Sequence, residues 1–199
     1  MEKKTCDCLV IGSGIGGMCA AARLACSGYK TIVIEKLPML GGRYTQIEYK
    51  GYKVPTGAWM ILYGENDPVY HTLVDVKAPE IDMAARTSVP QIYRLNGKDY
   101  HMKGRGALRD MISWASKDKE EADMVMSLLK RALWWYEPPD TISFDDWLSQ
   151  FTQNKTMHNI FQCMIAAWAG ANSWELTAGQ WFRILKGMTV GGKPFILKN

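Results

Sequence analysis

Long apolar runs, blocks of like charge and paired cysteine spacings are all absent from this 199-residue chain. No stretch approaches the ~18 apolar residues that span a bilayer; the longest candidate, residues 160–170, is interrupted by Gln162. Met1-Glu2-Lys3-Lys4 leads straight into a strand-like segment, with no signal-peptide core. Lys and Arg total 24 against 20 Asp and Glu, a net +4 spread without clusters, so a nucleic-acid footprint is not expected. The 3 histidines, His71, His101 and His158, are scattered, and no HExxH or CxxC occurs. No metal site is therefore expected. The cysteines Cys6, Cys8, Cys19, Cys26 and Cys163 are odd in number, which predicts buried free thiols in a reducing, cytoplasmic setting. Hydrophobic content of 47% and charged content of 22% are those of an ordinary globular protein with ample core.

What is present is concentrated at the N-terminus. Residues 6–11, CDCLVI, read as a central parallel strand buried on both faces. Gly12-Ser13-Gly14-Ile15-Gly16-Gly17 follows at once, and an Ala-, Met- and Leu-rich helix runs from Ile15 to Ser27, with Gly28 at its C-terminal cap. Thr31 to Ile34 is a second buried strand, ending in Glu35. Strand, GxGxxG, helix, strand and acid in this order form a dinucleotide-binding signature. Gly12 serves the tight turn, Gly14 the approach of a pyrophosphate and Gly17 the close packing of helix on strand. The helix start offers N–H groups and partial positive charge to phosphate. Ser13 is read as a helix cap or a phosphate contact, and Glu35 as the acceptor for ribose hydroxyls, which disfavours a 2′-phosphate and hence NADP.

The next segment bears on which dinucleotide. A simple NAD unit proceeds to another crossover helix. Here Gly41-Gly42-Arg43 follows the acid, and alternating Thr45, Ile47 and Tyr49 turn at Lys50-Gly51 into a returning Tyr52 and Val54. A guanidinium at Arg43 can fork onto phosphate oxygens. The pattern GSGIGGM…IVIEK…GGRYTQIEYKGYKVPTGAW resembles the FAD-dependent amine oxidase and phytoene desaturase superfamily, nearest its phytoene dehydrogenase-like branch of carotenoid desaturases, isomerases and retinol saturase relatives. The resemblance covers residues 5–60. It implies FAD as cofactor and a cofactor-binding set of Gly12, Ser13, Gly14, Ile15, Gly16, Gly17, Glu35, Lys36, Gly42, Arg43, Gly57 and Ala58. In that family the first turn and the acid hold the adenosine half, the GGR loop passes the pyrophosphate and flavin, and the glycine after the hairpin runs close to the flavin ring.

The remaining sequence is mainly helical. Asp67-Pro68 starts a helix, Asn96-Gly97 centres a hairpin over Gln91–Met102, and Gly104-x-Gly106 enters another helix. Lys119 to Tyr136 is a helix with an apolar stripe from Ala122 to Tyr136, and Pro138-Pro139 stops it. Ser143-Phe144-Asp145-Asp146 is a capping start, the paired carboxylates being assigned to capping rather than to acid–base work. Further stripes run from Met157 to Trp168 and from Trp174 through Ala178 and Trp181 to Leu185. They predict a helical core, with a lid or channel for an apolar substrate as the other use.

The expectation is an α/β chain: residues 1–66 as the N-terminal part of a Rossmann-like FAD-binding domain with an incomplete βαβ sheet, and residues 67–199 as a mixed, mainly helical part of a substrate or lid domain. The resemblance implies hydride transfer between an apolar substrate C–H and flavin, of a desaturase or isomerase kind. A flavin amine oxidase, a non-catalytic dinucleotide-binding subunit and an NAD-dependent dehydrogenase remain open, and no catalytic residue is nominated. The family is longer than this chain and completes its flavin domain with a late segment. A fragment, a truncated frame or one half of a split enzyme is therefore expected, poorly soluble or weak in flavin binding by itself. The implied partners are a small apolar substrate and a completing segment or chain; peripheral membrane contact is left open.

Overall fold

The computed structural model describes residues 4–79, 83–85, 91–95, 97–102, 106–190 and 195–197. The chain forms two compact units, Met1–Arg86 with Gly191–Asn199, and Thr87–Val190.

In the first unit β1 (Cys8–Ile11) leads into α1 (Ile15–Cys26), which returns the chain to β2 (Thr31–Ile34). β1 and β2 pair in parallel from Cys8↔Thr31 to Ile11↔Ile34, the arrangement that requires a crossover such as α1. α1 ends in a Schellman pattern, with Tyr29 N donating to Leu24 O at 3.1 Å and Gly28 N to Ala25 O at 3.0 Å. Gly28 at φ 92° supplies the left-handed residue this needs. A 3₁₀ turn at Gly42–Tyr44 precedes the hairpin of β3 (Gln46–Tyr49) and β4 (Tyr52–Pro55), whose turn residues Lys50 and Gly51 both have positive φ. The short β5 (Met60–Ile61) follows, then α2 (Pro68–Asp75), capped by Asp67 on Val69 N at 3.0 Å, and β6 (Met83–Ala85).

The second unit opens with the hairpin of β7 (Gln91–Leu95) and β8 (Lys98–Met102) and continues through α3 (Ala107–Ala115), α4 (Lys119–Trp134), α5 (Phe144–Ser149), α6 (Lys155–Ala169) and α7 (Ala178–Val190). Asn96 and Gly104, singled out in the sequence, lie outside the described residues; Gly106, at φ 104°, precedes α3 as its N-cap. One apolar cluster holds the helices together, including Met111, Ile112, Val125, Phe161, Ile165 and Trp181. Phe144 sits at its centre, with ring centroids 5.2 Å from Phe161, 5.7 Å from Trp147 and 6.1 Å from Trp181 and from Phe182. The buried Glu121 carboxylate accepts from Thr152 Oγ1, Lys117 N and Asn154 Nδ2, while Asn154 also caps α6 on Thr156 N. Finally β9 (Phe195–Leu197) pairs antiparallel with both β5 and β6, giving the order β5-β9-β6 within the first unit.

Several expectations need correction. β1 is not buried on both faces: Cys8 and Val10 are half-buried, but Leu9 is 52% and Ile11 82% exposed. α1 packs on the Val10 side, Val10 Cγ1 lying 3.5 Å from a methyl built on Gly17, and the other face carries no cover among the described residues. All five cysteines are free, yet Cys26 and Cys163 are exposed and the rest only half-buried. Tyr136 and Trp174 drop out of their stripes, at 56% and 61% exposed, because α4 ends at Trp134 and α7 begins only at Ala178. Asp146 does close a capping pair with Ser143, but Asp145 accepts from His158 Nδ1 at 2.8 Å, so only one of the two carboxylates caps.

The units divide between Arg86 and Thr87, whereas the sequence reading places a boundary after residue 66. The physical reason is that α2 is tied to α1: Arg23 pairs with Asp75 at 2.6 Å and donates to Thr72 Oγ1 at 3.2 Å. Among the described residues no helix is long and apolar enough to cross a membrane.

The core predicts its own mutational profile. Phe161→Ala should destabilise the second unit by about 3–5 kcal/mol, whereas Tyr136→Ala should stay within about 0.5 kcal/mol. Urea denaturation followed by tryptophan fluorescence measures both.

Candidate functional site

The site grows from the junction of β1 and α1. Gly12 N donates to Ile34 O at 2.7 Å, prolonging the sheet, and its φ of 96° turns the chain sharply. A methyl on Gly17 would collide with Gly12 O, so this contact between helix and turn admits only glycine. Gly14 caps α1 without any side-chain hydrogen bond, and the first turn carries no acid. Methyls built on Gly12, Gly14 or Gly16 would meet nothing within 4 Å. The first N–H groups of a helix have no partner inside it, and the positions of Gly14 and Gly16 at the start of α1 border open space. That opening suits an anion.

Glu35 stands over this turn. Its Oε2 accepts from Ser13 N at 2.8 Å and Ser13 Oγ at 2.6 Å, and its Oε1 accepts from Leu37 N at 2.9 Å. These bonds, that from the Ser13 hydroxyl first, lower its pKa from 4.5 to about 2. An ionised carboxylate is thus held beside the helix start at neutral pH, able to accept from paired hydroxyls. Of the two roles expected of Ser13, capping is overturned: its side chain donates to Glu35, and Gly14 is the cap of α1. Lys36 presents an exposed side chain next to the acid.

The second glycine loop lies directly on the first. Gly41 N donates to Ser13 O at 3.1 Å and Ser13 Oγ at 3.3 Å, and Gly14 and Gly41 form an isolated parallel bridge. A methyl on Gly42 would come 3.1 Å from Gly14 Cα. Beyond it, Ala58 N donates to Arg43 O at 2.9 Å, and a methyl on Gly57 would collide with that same carbonyl. Tyr44 OH donates to Met60 O at 2.6 Å, pinning the 3₁₀ turn. The Arg43 side chain is exposed.

The twelve residues named from the sequence therefore all lie in the first unit. Gly12 to Gly17, Glu35 and Gly42 meet at one turn, while Arg43, Gly57 and Ala58 form an adjoining backbone contact. Gly41 was passed over, although it and not Gly42 makes the hydrogen bonds to the first turn. Its signal was the doubled glycine itself: both residues have positive φ, 101° and 57°.

Residues 10–76 match the NAD(P)-binding Rossmann-like domain family. An uncharacterized protein of Methanocaldococcus jannaschii is 28% identical over 190 residues, which cover 94% of this chain and 44% of that protein. The phytoene desaturase of Cercospora nicotianae is 44% identical over 54 residues, 27% of this chain and 9% of that enzyme. The crystal structure of an oxidoreductase from Methanosarcina mazei shares the fold, with a TM-score of 0.74 at 23% identity over 95% of this chain and 44% of that one. The chain thus spans less than half the length of these relatives.

Two consequences can be measured. Gly17→Ala should destabilise the first unit by about 1–3 kcal/mol through overpacking, while Gly16→Ala, with open space for its methyl, should stay within about 1 kcal/mol of wild type; thermal unfolding separates them. The Glu35 carboxylate has a lowered pKa, so its contribution to stability is complete above pH 4.5 and is lost as the pH falls through about 2. Glu35→Gln should remove that dependence, and its melting temperature should converge on that of wild type as the solution is acidified across this window.

Proposed function

We propose that the N-terminal portion of this chain belongs to the FAD-dependent amine oxidase and phytoene desaturase superfamily and holds the adenosine diphosphate part of FAD in its first unit, a reading supported by the Rossmann-like match and by the similarity to a phytoene desaturase. In this reading it forms part of an oxidoreductase that transfers hydride between an apolar substrate C–H and flavin. The observation that carries the reading is the pair of glycine loops in backbone contact, with the Glu35 carboxylate fixed beside them.

The chain's residues divide the work. The N–H groups at Ile15, Gly16 and Gly17 receive the diphosphate, helped by the helix dipole. Glu35 accepts from the ribose hydroxyls and repels a 2′-phosphate. Arg43, exposed in the middle of the 3₁₀ turn, offers a guanidinium to phosphate oxygens. Gly57 and Ala58 keep the chain after the hairpin pressed to the Arg43 backbone, on the path assigned to the flavin ring. When bound, flavin supplies the two-electron chemistry, and the protein supplies position and electrostatics.

Similarity to a phytoene desaturase supports a long apolar substrate with a desaturase or isomerase outcome. The exposed Leu9 and Ile11 face of the two-stranded parallel sheet supports a further segment or partner chain that completes it.

Competition binding tests the reading. FAD and ADP should compete for one site on the chain, NAD should compete at least about tenfold less well, and Glu35→Ala should weaken FAD and ADP together by about tenfold or more. Tighter binding of NAD than of FAD, or binding of FAD that ADP cannot displace, would overturn it.

A further inference from the structure

We propose that the Ser13 hydroxyl is a positioning group that sets the acid and the second glycine loop together. It holds the Glu35 carboxylate over the opening turn and at the same time receives the Gly41 amide. The proposal rests on the dinucleotide reading above and adds to it a coupling between the ribose end and the phosphate end of the site.

Ser13 is fully buried at the contact of three segments, the turn after β1, the end of β2 and the loop before the 3₁₀ turn. A hydroxyl has one hydrogen and two acceptor lone pairs. The hydrogen is committed to Glu35 Oε2 at 2.6 Å, the short distance of a charge-assisted bond. A lone pair accepts from Gly41 N at 3.3 Å. Oε2 therefore receives both the amide and the hydroxyl of Ser13, while Oε1 receives Leu37 N, and a carboxylate with its roughly four lone-pair sites keeps acceptor capacity for a ligand. The lowered pKa of the carboxylate, with this hydroxyl as its first cause, agrees with the geometry.

Alanine at 13 is a lean test. It removes the hydroxyl but leaves Ser13's backbone bonds: the amide still donates to Glu35, and the carbonyl still accepts from Gly41 N at 3.1 Å. Loss of a mere space-filler would lower stability and leave ligand binding by the folded chain unchanged. Loss of a positioning group must weaken the ligand through Glu35.

The experiment measures ADP affinity by calorimetry for wild type, Ser13→Ala, Glu35→Gln and the double variant, with amide hydrogen exchange over residues 40–42. Ser13→Ala should weaken ADP about five- to tenfold in the wild-type background and less than about twofold when Glu35 is already Gln. Exchange at Gly41 should quicken in both backgrounds. If Ser13→Ala fails to fold, Ser13→Cys, a weaker donor of similar shape, should show the same pattern at smaller amplitude. Affinity within twofold of wild type for the folded variant, or an equal loss in both backgrounds, overturns the proposal. A folded wild type that binds no ADP overturns the dinucleotide reading and this proposal with it, and that control separates the two failures.

Discussion

Close approach of backbone to backbone is the constraint on which the first unit depends. The Gly12 carbonyl occupies the space that a side chain at 17 would need, and Gly14 Cα lies where a side chain at 42 would press. These contacts bring the start of a helix, the end of a strand and a distant loop to one place by direct approach of backbone. The Ser13 side chain is buried at that meeting point. Ser13 and Glu35 add a buried hydroxyl and a fixed negative charge there, and the start of α1 contributes N–H groups left without partners inside the helix. Anion-favouring amides and an ionised acid can stand side by side because the acid is held by the Ser13 and Leu37 donors rather than by the helix terminus.

The second unit obeys a different rule. Its order comes from apolar stripes that meet around Phe144, and from caps at Asp118, Ser143 and Asn154 that start α4, α5 and α6 where the stripes begin. Inside it the Glu121 carboxylate finds partners in Thr152 and Asn154, whereas the buried Trp181 Nε1 has none among the described residues.

Much of this was legible in the sequence where a local rule acts. The βαβ unit could be read because glycine spacing, strand composition and the terminal acid are all short-range signals. The Met157 to Ile165 face could be read because fifteen residues of α6 repeat one period. Other features were not legible, for physical reasons. β5, β6 and β9 have two or three residues each, too few to show alternation, and β9 finds its partners far away along the chain. Composition cannot say which face of β1 is covered, so Leu9 and Ile11 read as buried. Asp67-Pro68 marks a helix start equally well inside a unit as between two, and the contacts of Arg23 with Asp75 and Thr72 reveal which applies. Within the site, Ser13 looked like a cap because the type of residue was right, while the adjoining glycine took that place.

The middle position of β9 has a consequence for synthesis on the ribosome. Because this strand separates β5 from β6, the two earlier strands emerge long before the segment that joins them, and the whole of the helical unit is translated in between. Vectorial folding must therefore proceed out of order: the later-made excursion can condense first, and the earlier-made portion closes only after Phe195–Leu197 leave the exit tunnel.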